Sequence, residues 1–169
     1  MTSDPTSIEE RLEKCVTTSA APHMIDYNGH LNVGYFAVLF EEAARGLLSR
    51  VDLSADYRRR SNHALFAKES HFVFLREVFP NETLSFYAQI LGVTDRALHC
   101  MYHMHNDARA EWAARQEILY LHLDLMSQKV VQMPPGQLQR LKELQLRHDT
   151  LPQLDVGRRI VIRPSESRG

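Results

Sequence analysis

The chain has 169 residues, 44% apolar and 24% charged, which suits one buried core with a tail to spare. Its 20 Lys and Arg against 21 Asp and Glu leave a formal charge of −1, which argues against a protein built to grip phosphate backbones or anionic membrane. Apolar stretches such as 35–40 fall far short of the ~20 residues a bilayer span needs. No secretory leader is readable in residues 1–14, and the two cysteines, Cys15 and Cys100, lack the spacing of a zinc site or a disulfide framework, so the expected compartment is the reduced cytoplasm.

Residues 1–12 are polar, with nothing in them to tie a terminus down. A domain over 13–148 follows, then a polar tail over 149–169 in which Arg159-Ile-Val-Ile-Arg163 has the composition to add a strand to a sheet edge. Within 12–21, Val16, Thr17 and Thr18 suit an edge strand. The segment Pro22-His-Met-Ile-Asp-Tyr-Asn-Gly-His-Leu-Asn32 is a loop by its Pro, Gly and two Asn. Val33, Phe36, Ala37, Phe40, Ala44, Leu47, Leu48 and Val51 then recur at steps of three and four. This stripe predicts an amphipathic helix with Asn32 as N-cap, an i,i+4 pair from Glu41 to Arg45, and an end before Asp52. Gly46 costs such a helix up to about 1 kcal/mol against Ala; either its backbone lies close against a sheet or the glycine is merely tolerated. Residues 52–62 read as a loop or short helix, and Arg58-Arg59-Arg60 is either a solvated run or a contact for an anion such as a coenzyme phosphate.

The second half reads as β. A long strand over 64–78 leads to a turn at 79–82. Residues 83–91 alternate, with Leu84, Phe86, Ala88 and Ile90 on one face and Thr83, Ser85, Tyr87 and Gln89 on the other. After a hairpin at 92–96, Leu98, Cys100, Tyr102 and Met104 oppose His99, Met101, His103 and His105, and residues 112–125 put Leu119, Leu121, Leu123 and Leu125 on one side. Pro134-Pro135 suits a helix start, and Leu138, Leu141 and Leu144 mark a short C-terminal helix. Short connections make the sheet antiparallel. One helix on one face of it gives an α+β fold.

The loop Asp26-Tyr27-Asn28-Gly29-His30-Leu31-Asn32 places a carboxylate, amides and an imidazole just before a helix N-terminus. Unpaired N–H groups of a first helical turn, around Val33 and Gly34, can polarise a thioester carbonyl and hold its oxyanion. Asp26 can serve as base or nucleophile, Asn28 can orient water or the carboxylate, and His30 can move the proton or brace the loop. The same residues also make an ordinary turn and helix cap. Glu69 and His71, two apart on a strand, share a face that either lines a pocket or is a charged exterior. Glu41 and Glu42 offer a second carboxylate from the helix or a solvated face. His99, His103 and His105 lie ~6.6–6.8 Å apart per step along one strand face, a spacing that suits a polar surface better than a metal site. Tyr27, Tyr35, Phe66, Phe72, Trp112 and Tyr120 are core residues or candidates for an aromatic cage around a quaternary ammonium. No Gly-x-Ser-x-Gly elbow, phosphate loop or zinc helix is present.

Asp26-x-Asn28-x-His30-x-Asn32, followed by Tyr35 and the amphipathic helix, resembles the signature of hotdog acyl-CoA and acyl-carrier-protein thioesterases. The 4-hydroxybenzoyl-CoA thioesterase-like group places its aspartate at the Asp26 position, and the plant acyl-carrier-protein enzymes show the fuller pattern. Similarity in the order and length of elements extends to about residue 125. Ile25 to Asn32, Glu69-Ser70-His71, Leu98-His99 and Gly157-Arg-Arg look like thioesterases of carnitine catabolism, a group thought to act on betainyl-CoA and sometimes fused to carnitine dehydrogenase. The resemblance implies a hotdog fold, with the sheet wrapped around one central helix. It also implies hydrolysis of a small or medium acyl-CoA, with Asp26 catalytic, Asn28 and His30 in support, and Tyr27, Val33, Gly34, Tyr35, Glu69 and His71 toward substrate. Coenzyme A would be part of the substrate, with no cofactor and no metal, no nucleic-acid or membrane partner, and a homodimer or dimer of dimers with sites between protomers. The hydroxybenzoyl-type enzymes do not need Asn28 or His30, which leaves the division of labour open. The alternatives are a non-catalytic acyl-CoA-binding hotdog module and an enoyl-CoA hydratase or dehydratase on the same fold.

Overall fold

The computed structural model describes residues 11–151. The expectations for 1–10 and for the tail beyond 151, the 159–163 strand included, lie outside the described residues. Strand β1 (Glu13–Ser19) leads through a 3-10 turn (Pro22–Met24) to helix α1 (Val33–Arg50), short helix α2 (Ala55–Ser61) and strands β2 (His63–Phe74), β3 (Thr83–Val93), β4 (Ala97–Asn106), β5 (Glu111–Asp124) and β6 (Lys129–Val130), ending in helix α3 (Pro135–His148). The sheet is antiparallel in the order β1-β3-β4-β5-β2, with β6 also on β5. Its inner face curls round α1: the Phe40 ring lies 5.3 Å from Phe86 and 5.8 Å from Phe72, and Phe36 lies 4.9 Å from Phe74. This is the hotdog arrangement, and the apolar stripe of α1 is its core.

Gly46 is where helix and sheet approach most closely. A Cβ there would sit 2.5 Å from the Cys15 carbonyl oxygen of β1, so the glycine serves packing. The short helix expected within 52–62 is α2, capped by Ser54 and closed by Asn62 in the left-handed region. The turn at 79–82, in contrast, closes no hairpin. β2 pairs with β5, at the far side of the sheet from β3. The strand ends at Phe74 instead of 78 because the Leu75 and Arg76 N–H groups both donate to the Ala113 carbonyl (2.9 and 3.0 Å), which turns the chain out of the ladder. Val78 is then buried against the loop before α1, its carbonyl accepting Leu31 N–H at 2.8 Å.

The outer face of β3 and β4 corrects another expectation. His99, Met101, His103 and His105 do share a face, but it is buried and not a solvated polar surface. His99 pairs with Glu117 at 2.9 Å and His105 with Asp107 at 2.7 Å. Leu119, Leu121 and Leu123 are half-buried on the same outer side, while Ile118, Tyr120 and His122 face inward. His103 is 0% exposed, neither ring nitrogen has a hydrogen bond among the described residues, and its ring packs 5.6 Å from Trp112. Burial, helped by the Arg115 charge, pushes its pKa down to about 3. The unfolded chain therefore binds a proton below about pH 6.5 that the folded protein refuses until near pH 3, so stability is retained above that window and falls as pH drops through it, by up to ~1.4 kcal/mol per pH unit. A His103→Leu variant is expected to show a flatter decline in urea midpoint between pH 6 and pH 4 than the parent.

Helix α3 packs beside β3 where β1 no longer reaches. The last β1 pairing is Glu13 with Ala88, and at Ile90 the free N–H donates to His148 Nδ1 of α3 at 2.9 Å. Burial holds the His148 pKa below the ordinary histidine value, which keeps that nitrogen an acceptor. No helix among the described residues is long and apolar enough to cross a membrane.

Candidate active site

The loop between β1 and α1 is wound tightly on itself. Ile25 bridges to Leu31, Asp26 N–H donates to the His30 carbonyl at 2.9 Å, and Gly29 N–H donates to the Asp26 carbonyl at 3.0 Å. Gly29 closes the turn at φ +82°, where an L side chain is strained. Asp26 Oδ1 accepts the Asn28 backbone N–H at 2.8 Å, an Asx-turn that fixes the carboxylate and commits one of its oxygens. The half-buried side chain borders a cavity of about 380 Å³ whose walls include His30, Val33, Phe36, Phe74 and Glu77. Asp26 is thus both a turn residue and a cavity carboxylate.

Two further ties hold the loop against the end of β2: the Leu31–Val78 hydrogen bond and a 3.4 Å approach of His30 Nε2 to Glu77 Oε2, with the His30 ring edge-on to Phe79 at 4.9 Å. At the start of α1, Asn32 caps as the sequence suggests, its Oδ1 accepting Gly34 N–H at 2.9 Å and its carbonyl accepting Tyr35 N–H at 2.9 Å. The cap changes the expected anion site, because the Gly34 amide is already engaged. Val33 N–H has no hydrogen bond among the described residues, and Val33 is on the cavity wall. That amide carries the positive end of the helix dipole.

The structure brings together Asp26, His30 and Val33. Asn28 is exposed and bonds Asp26 through its backbone; Tyr27, 97% exposed, caps the loop tip; Tyr35 leans edge-on against His23 at 5.7 Å. Glu69 and His71 hydrogen-bond each other at 2.7 Å on the outer face of β2, where His71 stands opposite Glu117, so the sheet separates them from Asp26. The aromatic set disperses too. Phe72 packs on Phe40, Tyr120 is buried on the inner face, Trp112 makes edge contacts with Tyr87, His103 and His105, and Phe66 is exposed on β2. The rings at the Asp26 cavity are Phe36 and Phe74, and its second carboxylate is Glu77. No local sequence signal marks them, because the end of β2 meets the loop only through the fold. Of the arginine triplet, Arg59 pairs with Asp56 and Arg60 with Asp52, while Arg58 borders a second cavity of about 500 Å³ with Arg45 and Glu41. Glu41 itself pairs with Arg45 at 3.7 Å. Among the described residues no three His, Cys, Asp or Glu side chains converge as a metal centre requires.

Known proteins resemble the chain in sequence and in fold. Residues 20–141 match the family model described as the thioesterase-like superfamily. The chain is 30% identical over 148 residues to a betainyl-CoA thioesterase of Pseudomonas aeruginosa, covering 87% of this chain and 93% of that protein. It is 28% identical to an L-carnitine dehydrogenase/betainyl-CoA thioesterase of a Rhizobium species, spanning 88% of this chain but only 30% of that longer protein. Among solved structures, a Staphylococcus aureus protein in complex with CoA superposes with a TM-score of 0.81 at 16% identity, over 90% of this chain and 97% of the other. A Pseudomonas putida protein described as a thioesterase candidate does so at 0.74 and 27% identity, over 90% and 98%. With the Asp-x-Asn-x-His-x-Asn loop seated on the central helix of a hotdog sheet, the chain belongs to the thioesterase-like superfamily, and its chemistry is the hydrolysis of acyl-CoA thioesters.

Proposed function

We propose that the protein hydrolyses a small acyl-CoA, betainyl-CoA foremost, to the free acid and CoA at the Asp26 cavity. The observation that carries this is the placement of one carboxylate and one unengaged helix amide, those of Asp26 and Val33, on the wall of one cavity. A thioester carbonyl seated there directs its oxygen to Val33 N–H, where charge develops as the carbon becomes tetrahedral. The Gly34 amide joins only if the Asn32 side chain releases it. The Asp26 oxygen not engaged by Asn28 then removes a proton from water attacking the carbonyl carbon; the C–O bond forms, the C–S bond breaks and the proton passes to the departing thiolate. Alternatively that oxygen itself attacks, expelling the thiolate to give an acyl-aspartyl anhydride that water opens. His30, which lines the same cavity, relays the proton in this reading. CoA enters as substrate, and neither route calls for a retained cofactor or metal. The 30% identity to the betainyl-CoA thioesterase of Pseudomonas aeruginosa supports betaine as the acyl group. A panel of betainyl-, aromatic and straight-chain acyl-CoAs assayed for free thiol tests this, with betainyl-CoA expected to release thiol fastest; binding without thiol release, or enoyl-CoA conversion without it, would overturn the proposal.

We further propose a homodimer, singly or as a pair of dimers, joined along β2. That strand carries 12 residues, pairs on one side only among the described residues, and exposes Phe66, Val73 and Phe74. A long, open, apolar edge favours pairing with another copy. A Phe66→Lys variant is expected to sediment as a monomer and to lose most activity; an unchanged dimer would place the interface elsewhere. We assign the protein to the cytoplasm. Both cysteines are free, and burial pushes the Cys15 thiol up to about 12 and that of Cys100 higher still, so neither is poised for disulfide chemistry.

A further inference from the structure

The Asp26 cavity has a second, unassigned half, made by the chain as it leaves β2. Phe74 is half in the open, with one side against Phe36, and Glu77 follows three residues later with 66% of its side chain exposed. Both line the cavity that holds Asp26. The segment is fixed, since Leu75 and Arg76 are tied to Ala113 and the Val78 carbonyl to Leu31 N–H. Its one arginine, Arg76, is turned to other work, bonding the Leu75 carbonyl at 2.8 Å and approaching Glu111 at 3.4 Å. Arg109, whose charge reaches Glu77, is committed to Glu82 and lies over the Phe79 ring at 4.4 Å. The cavity wall therefore carries two carboxylates, those of Asp26 and Glu77, beside an aromatic face; Arg76 also lines it but bonds the Leu75 carbonyl and approaches Glu111, and His30 stands 3.4 Å from Glu77. Such walls attract a cation and penalise an anion.

We propose that Glu77 and the Phe74 ring form the receptor for a positively charged acyl head, and that they select quaternary-ammonium acyl-CoAs over neutral ones of the same shape. The inference rests on the thioesterase reading of the same cavity and sharpens it to a specificity. In a betainyl thioester the trimethylammonium stands one methylene from the carbonyl carbon. A carbonyl held between Asp26 and Val33 thus leaves the cation within the same small cavity, where Glu77 supplies charge and Phe74 supplies its π face. Glu77 is a specificity residue here, with no part in bond making.

The test uses the full chain and two substrates of equal shape: betainyl-CoA and 3,3-dimethylbutyryl-CoA, in which a carbon replaces the charged nitrogen. Wild type is expected to favour the cation in kcat/KM by about tenfold or more, and Glu77→Gln to erase about tenfold of that preference while leaving the neutral substrate within about twofold. Phe74→Leu should lower the preference by a smaller factor. Equal losses on both substrates in Glu77→Gln, which would mean a role in holding His30 and the loop, overturn the proposal, as does no loss on either. A wild type that hydrolyses the neutral analogue as well as betainyl-CoA overturns this specificity while leaving thioester hydrolysis standing. A wild type that releases thiol from neither of these, nor from any other acyl-CoA, removes the function itself and this inference with it.

Discussion

Asp26→Asn is expected to lower kcat by at least about 10³-fold, at the upper end of what a positioned general base contributes, with KM nearly unchanged. The structure makes this substitution more informative than Asp26→Ala. Asp26 Oδ1 accepts the Asn28 N–H that shapes the loop, and an asparagine side chain keeps an acceptor oxygen at that place. Loop geometry, cavity and helix start should therefore survive, and only the charge and the proton acceptor are lost. Alanine would remove both the chemistry and the turn, so its inactivity would say less. Steady-state hydrolysis of betainyl-CoA, with a thermal melt of the same sample, separates the outcomes. Turnover within tenfold of wild type in a well-folded Asp26→Asn protein would remove Asp26 from the mechanism.

Gly46→Ala is expected to cause the largest loss of stability. Two effects oppose each other. Alanine in place of glycine inside a helix gains up to about 1 kcal/mol of intrinsic propensity. Against that, the new methyl would stand 2.5 Å from the Cys15 carbonyl oxygen and 3.0 Å from its carbonyl carbon. These are backbone atoms that cannot rotate aside, so α1 and β1 must separate, and overpacking of this kind costs about 1–3 kcal/mol or more. The clash is expected to win by about 2 kcal/mol, a fall in melting temperature of roughly 4–8 °C for a chain of this size. Because Gly46 lies 14 residues along α1 from the Asn32 cap, about 21 Å at the helical rise, activity measured well below the melt should stay within about twofold of wild type. A melting temperature equal to or above the parent's would show that β1 can move away at little cost.

The elements set by local periodicity were legible in the sequence. The stripe from Val33 to Val51 gave α1, and the alternation of 83–91 and 98–105 gave β3 and β4 with their inward faces assigned correctly. Proximity in sequence misled where the chain crosses the sheet. The 79–82 turn looks like a hairpin turn, and only the double donation to Ala113 ends β2 and sends the chain across. Alternation tells which side chains share a face but not whether that face is wet, so His99, His103 and His105 were placed on one side without any sign that it is buried. The same limit governs the site. Asp26, His30 and Val33 stand in one short segment and could be gathered by inspection. Phe74 and Glu77 reach the same cavity from a strand end more than forty residues later, and nothing in their neighbours' identities reports it. Gly34 shows the converse: a helix-start amide that is vacant in a generic helix is here occupied by the very cap that the sequence predicts.

The two margins of the sheet are finished differently. β1 is seven residues long, shifts register between Lys14 and Val16, and gives way to a histidine of α3 that takes the next backbone donor of β3. A margin so short and so covered offers little template for a newcomer strand, whereas the opposite one is twelve residues long, with one register shift between Ala67 and Glu69. In the dimer proposed along β2, growth would stop once two molecules had met rim to rim, because among the described residues neither would have a second such rim to offer a third. His148, remote from the chemistry, would thereby help to keep the proposed assembly finite.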